Sequence, residues 1–279
     1  MKNALLIDLG GTNVRHAFFI NNALSKISKE KISDKEFIPF ITKLLNGAES
    51  KIEYLVIAAA GPNNQGFINL TNRNLLINSS ELEATLNLKK CLLLNDWEAV
   101  AFSLSEMEKK SFLSIKANVP SNKNTLLIGP GTGLGVTLII DDQIIPTEFG
   151  NVLSATKSMM ESFGIERSEK FLSLENILSG PGIEMLYEEK FGKKLSSEKI
   201  ITLALERNED ALFIVNNFLK TLISIIDDLV LSFTCKRVIL GGAILNSLKS
   251  ILTSEKILNF FSSRINRKYS QLLSLIHIS

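Results

Sequence analysis

One local pattern occurs twice in this chain, and it limits the fold more than any other feature. Residues 5–26 read "LLIDLGGTNVRHAFFINNALSK" and residues 125–146 read "TLLIGPGTGLGVTLIIDDQIIP". Each is an apolar strand, a Gly/Thr loop, a second apolar strand, a polar turn and the start of a third strand. Few identities survive between the copies, but the order recurs about one domain length apart, which predicts an ancestral duplication. The 279 residues suffice for two moderate domains, each with its own core.

The elements between the copies follow from apolar spacing and breakers. Strands are expected over Ala4–Ile7 and Val14–Ile20, then through Leu24–Ile32. Asp34 is expected to cap a helix with apolar positions Phe37, Ile41, Leu44 and Leu45, with Pro39 near its start. "YLVIAAAGP" and "KKCLLLND" read as buried strands ending at a Gly-Pro break and at two polar residues. The polar, lysine-rich stretch Glu106–Asn124 suits a linker or peripheral connection. A boundary at its start gives domains 1–107 and 108–279. In the second, helices are expected over Pro181–Phe191, Ser196–Glu206 and Asp210–Leu231, then a strand Arg237–Leu240 before "GGAI".

Composition excludes several classes. The formal charge is +2 and the basic residues are scattered, so no nucleic-acid or membrane surface is indicated. Apolar runs such as Tyr54–Ala60 are far too short for a membrane span, and the N-terminus shows no secretory h-region, so a cytoplasmic location is expected. Cys91 and Cys235 are isolated, without the spacing of a zinc or redox site, and are expected to be buried and reduced.

Glycine loops let backbone N–H groups converge on an anion, and a threonine hydroxyl adds a donor. Neither "DLGGTN" nor "GPGTGLG" is a P-loop, because no Lys-Ser/Thr follows, nor a dinucleotide fingerprint, because a strand rather than a helix comes next. Either loop alone is equally a tight hairpin. Two in equivalent places, each with Thr, point to phosphate: Gly10, Gly11, Thr12 and Asn13 in one, Gly131, Thr132 and Gly133 in the other. Asp8, ending the first strand, would then face Mg2+, directly or through water.

"LLIDLGGTNVR", "LLLNDWEA", "GPGTGLGV", "LSGPGIEMLY" and "VILGGAI" stand in the order found in bacterial glucokinases of the hexokinase superfamily, and the chain resembles them over nearly its whole length. Two isolated cysteines cannot supply the zinc motif of the related repressor and open-reading-frame kinases, so the zinc-free branch is indicated. The resemblance implies an α/β fold, the duplicated ribonuclease-H-like, actin-like ATPase core with two lobes and an interlobe cleft. It further implies ATP and Mg2+ as cofactors and glucose or a related hexose as substrate, and it allows a homodimer.

Carried over residue by residue, Asp96 in "LLLNDWEA" resembles the family's catalytic base, although Asp in that place is also a common helix cap. Asn95 suits a sugar hydroxyl read from both sides, or the satisfaction of a strand end. "PTEFGN" matches the family's Pro-Gly-Glu-Gly-Gly-His: Glu148 is kept, Thr147 and Phe149 each replace a glycine, and Asn151 replaces the histidine. Glu175 resembles a sugar-contacting glutamate or is a first-turn helix acid, and Asn72 in "LTNRN" lies in a stretch near the sugar. Gly241 and Gly242 would let adenosine lie against backbone or form a plain strand-to-helix turn. His16, among apolar neighbours, is expected to be structural. The chain stops in "LLSLIHIS", where the family has a late strand, so the helix that closes the family fold is expected to be absent.

These features imply an ATP-dependent kinase acting on the 6-hydroxyl of glucose. A kinase for another hexose, or a sugar-binding protein with little turnover, is the alternative.

Overall fold

The structure, a computed structural model, describes residues 2–10, 13–70, 73–116, 123–153, 157–166, 168–264 and 274–278. The chain divides into two compact units, Met1–Ser103 and Leu104–Ser279.

The first unit is built on a sheet in the order β3-β2-β1-β5-β9. β1 (Ala4–Leu9) pairs antiparallel with β2 (Val14–Ile20) and parallel with β5 (Tyr54–Ala59), which pairs parallel with β9 (Lys90–Asn95). Alternation sets which residues face the core. Leu5, Leu55 and Cys91 share one cross-strand row, Ile7, Ile57 and Leu93 the next, and Leu9, Ala59 and Asn95 the last. All nine are buried, and α1 (Phe37–Asn46) and α2 (Ser79–Thr85) cover them with Phe37, Phe40, Ile41 and Leu82. Asn95 is thus the polar end of an otherwise apolar file. A small sheet of β6 (Asn63–Asn64), β7 (Phe67–Asn69) and β8 (Leu76–Asn78) adds Ile68 and Ile77 to the core, and α3 (Asp96–Ser103) continues directly from β9.

The single strand expected over Leu24–Ile32 is two short strands, β3 (Ala23–Leu24) and β4 (Ser28–Glu30), both paired with β2. Ser25 Oγ accepts the Phe18 N–H at 2.9 Å, so a side chain replaces a ladder carbonyl and the strand breaks there. Asp34 does not cap α1. A 3-10 turn over Asp34–Glu36 precedes the helix, and Ser33 and Glu36 close it, with Ser33 N–H donating to Glu36 Oε2 at 2.8 Å. Pro39 falls in the first turn of α1, where its missing N–H costs nothing. His16 is buried between the edges of the Phe18 and Phe40 rings.

The second unit repeats the plan. Its sheet runs β10-β15-β14-β11-β12-β13. β11 (Thr125–Pro130) pairs antiparallel with β12 (Leu134–Ile140) and parallel with β14 (Arg237–Leu240), which pairs parallel with β15 (Ser274–Ile278). β13 (Gln143–Thr147) flanks β12, so β13-β12-β11-β14-β15 matches β3-β2-β1-β5-β9 in order and sense. The duplication read from the two glycine loops is therefore present in the strand order of both units. Part of the expected linker is a strand instead: β10 (Phe112–Lys116) pairs antiparallel with β15, while 117–122 lie outside the described residues.

Helices α4 (Lys157–Ser162), α5 (Gly180–Phe191), α6 (Ser197–Leu205) and α7 (Glu209–Ser232) come between β13 and β14. After β14 come α8 (Ala243–Ser247), α9 (Lys249–Leu252) and α10 (Glu255–Arg264). The long α7 starts where Asn208 Oδ1 accepts the Ala211 N–H at 3.1 Å. Its buried positions Ala211, Ile214, Val215, Phe218, Leu219 and Leu222 recur at helical spacing and form the centre of this unit's core. Among the described residues no helix is long and apolar enough to cross a membrane.

Candidate active site

In the first unit the strand–helix junction at β9 and α3 fixes Asn95 and Asp96. Asn95 is buried, its Oδ1 accepts the N–H of Trp97 at 2.9 Å and of Glu98 at 3.4 Å, and its Nδ2 donates to the Gly61 carbonyl at 3.3 Å. Glu98 Oε2 accepts the Asn95 N–H at 3.0 Å in return, the reciprocal pattern of a capping box. The cap is therefore Asn95. Asp96 is the first residue of α3, with Oδ1 2.9 Å from the Trp97 nitrogen that donates to it. Burial pushes the Asp96 carboxyl above the usual aspartate range; the Trp97 N–H opposes this, and the negative charge of Asp8 adds to it. A carboxylate made more basic in this way is suited to accept a proton.

Asp8 and Arg15 stand directly opposite each other in the β1–β2 ladder, and Arg15 Nη1 lies 2.6 Å from Asp8 Oδ2. Both side chains are about half exposed, at 47% and 51%. Gly10 closes the following turn by donating its N–H to the Asn13 carbonyl at 3.0 Å. Gly11, Thr12 and Asn72 lie outside the described residues.

In the second unit five glycines gather at the end of β11. Gly131 N–H donates to the Gly133 carbonyl at 2.8 Å, Gly180 N–H to the Gly131 carbonyl at 2.8 Å, and Gly241 N–H to the Ile128 carbonyl at 3.0 Å. Gly242 has φ +96 and ψ 152, a combination essentially restricted to glycine, and a Cβ there would stand 2.6 Å from the Pro130 carbonyl oxygen. At Gly131 the opposite holds: a Cβ would meet nothing within 4 Å. That open side of a Gly/Thr turn, with Thr132 exposed beside it, is where a phosphate has room to approach backbone, so the residues present fit a polyphosphate.

Glu148 follows β13 and precedes a 3-10 turn over Phe149–Asn151, and Asn151 Nδ2 donates to Glu148 Oε2 at 3.1 Å. Thr147 Oγ1 donates to the Val136 carbonyl at 2.7 Å, and Phe149 packs on the apolar core. Two backbone bonds join this segment to the next candidate: Glu175 N–H to the Gly150 carbonyl at 2.9 Å and Leu174 N–H to the Val152 carbonyl at 3.2 Å. The Glu175 carboxylate lies over Gly133, with Oε2 2.7 Å from where a Cβ would be. Glu148, Asn151 and Glu175 are thus brought together with the loop Gly131–Gly133.

Among the described residues there is no group of three or more His, Cys, Asp or Glu able to hold a metal ion. A cation at Asp8 would take its other ligands from phosphate oxygens and water, which is how Mg2+ is commonly held. Such a cation would share the Asp8 carboxylate with Arg15, and its oxygen ligands are of the kind a hard cation takes. Cys91 and Cys235 are free and buried, and burial pushes their thiols up to about 12 and about 11.

Sequence reading did not single out Arg15, Ser179 or Arg73. The Arg15–Asp8 pairing was available from hairpin register, since a four-residue loop sets Asp8 opposite Arg15. Ser179, which caps α5 by accepting the Gly182 N–H at 3.0 Å, was available as a cap before Gly-Pro. Arg73 had no local signal.

The two matched sheets and their glycine turns define the duplicated ribonuclease-H-like, actin-like ATPase fold of sugar kinases. It is shared by solved structures of a Balamuthia mandrillaris glucokinase in complex with glucose (TM-score 0.79, 19% identity, 100% of this chain and 90% of that one) and a ROK family glucokinase from Streptomyces griseus in complex with glucose and AMPPNP (TM-score 0.67, 15% identity, 99% and 94%). The glucokinase family model matches residues 5–278, and the chain belongs to the glucokinase family. A Helicobacter pylori glucokinase is 28% identical over 72% of this chain and 64% of its own length. The alignments to such curated relatives span 58% to 64% of those proteins.

Proposed function

We propose that this protein transfers a phosphoryl group from ATP to the 6-hydroxyl of glucose. The observation that carries the reading is Asp96: a carboxylate at the first position of α3, directly after β9, whose Oδ1 accepts the Trp97 N–H at 2.9 Å and which burial makes more basic. Phosphoryl transfer to an alcohol proceeds through a loose transition state, so the protein's share is positioning, charge neutralisation and removal of one proton. Asp96 takes that proton from the hydroxyl. Glu148, oriented by Asn151, and Glu175 accept hydrogen bonds from the other hydroxyls, and Asn95 and Asn72 are the remaining sugar-contact candidates. Gly10–Asn13 and Gly131–Gly133 cradle phosphates, and Gly241 and Gly242 leave room for adenosine. Mg2+ at Asp8 supplies neutralisation of phosphate charge when bound. Membership of the glucokinase family, and solved relatives whose names include glucose and AMPPNP, support this reading. The buried, reduced thiols are in keeping with a cytoplasmic enzyme.

Asn151, which replaces the family's histidine and donates to Glu148 Oε2 at 3.1 Å, favours a second hexose as an alternative substrate. A panel of glucose, mannose, fructose and N-acetylated hexoses, assayed for sugar-dependent ADP release, tests both. ADP release strongest with glucose supports the primary reading; release strongest with another sugar reassigns the substrate. Sugar binding without ADP release refutes the kinase and leaves a sugar-binding protein.

A further inference from the structure

The Glu175 carboxylate occupies the place a side chain at residue 133 would take. Its Oε2 lies 2.7 Å and its Cδ 3.8 Å from where a Cβ on Gly133 would be. Among the described residues, and apart from the chain neighbours, no other atom comes within 4 Å of that point. Gly133 is not among the glycines with positive φ, so its backbone conformation does not call for glycine. The space above it does.

The backbone on both sides of this contact is fastened. Glu175 N–H donates to the Gly150 carbonyl at 2.9 Å, Ser173 N–H to Asn176 Oδ1 at 3.0 Å and Leu178 N–H to the Leu174 carbonyl at 2.8 Å. Leu174, Ile177 and Leu178 are fully buried. Gly150 in turn lies so close to β12 that a Cβ on it would collide with the Leu134 carbonyl oxygen. On the side of the turn, Gly131 N–H donates to the Gly133 carbonyl and Gly180 N–H to the Gly131 carbonyl, both at 2.8 Å. A methyl group at residue 133 is therefore accommodated by moving the end of the Glu175 side chain, not the backbone.

Nucleotide binding alone does not account for this placement, because a carboxylate beside a turn that suits phosphate repels the phosphate charge. The two glycines of the turn thus have different open sides: that of Gly131 is empty, and that of Gly133 is filled by a carboxylate. We infer that Gly133 is a positioning residue for sugar recognition, whose missing side chain lets the Glu175 carboxylate stand where it accepts a sugar hydroxyl. The inference rests on the kinase reading, which gives Glu175 its hydroxyl. The Gly133 backbone still closes the phosphate turn, while its bare Cα serves the sugar.

The test is calorimetric titration of the full chain with glucose in four proteins: wild type, Gly133→Ala, Glu175→Ala and the double variant, each beside a melting curve. Gly133→Ala is expected to melt close to the wild type and to bind glucose about tenfold more weakly, the scale of a lost hydrogen bond to a charged group. Glu175→Ala is expected to lose at least as much. In the double variant the Gly133 substitution has no carboxylate left to displace, so glucose affinity is expected to stay within about twofold of Glu175→Ala alone. A merely structural role for Gly133 does not produce that non-additivity. Unchanged glucose affinity in either single variant, a further full loss in the double variant, or a Gly133→Ala chain that fails to fold overturns the inference and leaves the kinase reading intact. A wild type that binds no glucose rejects both.

Discussion

Gly131→Ala separates folding from nucleotide binding. A methyl group at this position meets no atom within 4 Å, and Gly131 is not among the glycines with positive φ. The folded state therefore accommodates alanine without displacement, and the unfolded chain loses freedom, which stabilises by up to about 1 kcal/mol. The added carbon occupies the open side of the turn, where phosphate oxygens need contact closer than a methyl group permits. An affinity loss of at least tenfold for Mg-AMPPNP is expected, equivalent to about 1.4 kcal/mol. Urea unfolding gives the first quantity and calorimetric titration the second. Unchanged AMPPNP affinity with unchanged stability would refute the assignment of Gly131–Gly133 to phosphate. A large loss of stability would refute the openness on which the reasoning depends.

Gly242→Ala is the contrasting case: a backbone conformation nearly exclusive to glycine and a 2.6 Å approach to the Pro130 carbonyl should cost about 1–3 kcal/mol or more of stability in urea unfolding. Asp96→Asn should lower turnover by about two orders of magnitude or more in a coupled assay. It should also stabilise the fold at neutral pH. Because burial raises the folded pKa of Asp96, its contribution is fully present below the ordinary aspartate value of about 3.9 and is lost as pH rises through the folded value, so the variant's advantage should vanish in acid. For the same reason the acid limb of the wild-type rate profile should lie above the ordinary aspartate range. Phe218→Ala, in the centre of α7, should cost about 3–5 kcal/mol without altering sugar preference in the folded fraction.

The parts of this fold that were legible in sequence were those written in local chemistry. Strands β1, β2, β11 and β12 announce themselves by apolar runs around glycine turns, and α7 by its spacing. Where a side chain competed with the backbone, local reading failed: Ser25 interrupts the strand expected over Leu24–Ile32, and Glu36 rather than Asp34 closes the turn before α1. β10 was hidden because its partner β15 lies more than 150 residues away, and a polar, lysine-rich surround gave no local sign of pairing. Within the site, Asp96 and the glycine turns carry signals of position, strand tip or loop. Arg73 carries none, because its meaning lies wholly in acceptors at Gly10, Ile32 and Asp34. Asn95 was readable as a polar strand end, and the structure adds that its amide is engaged in capping α3.

The most direct measurement is the single-turnover rate of phosphate transfer from labelled ATP to glucose in the wild type and in Asp96→Asn, with glucose affinity measured in both. Labelled sugar formed rapidly by the wild type, and about a hundredfold or more slowly by a variant that still binds glucose, is the result expected if Asp96 takes the hydroxyl proton. Equal rates in the two proteins would contradict it.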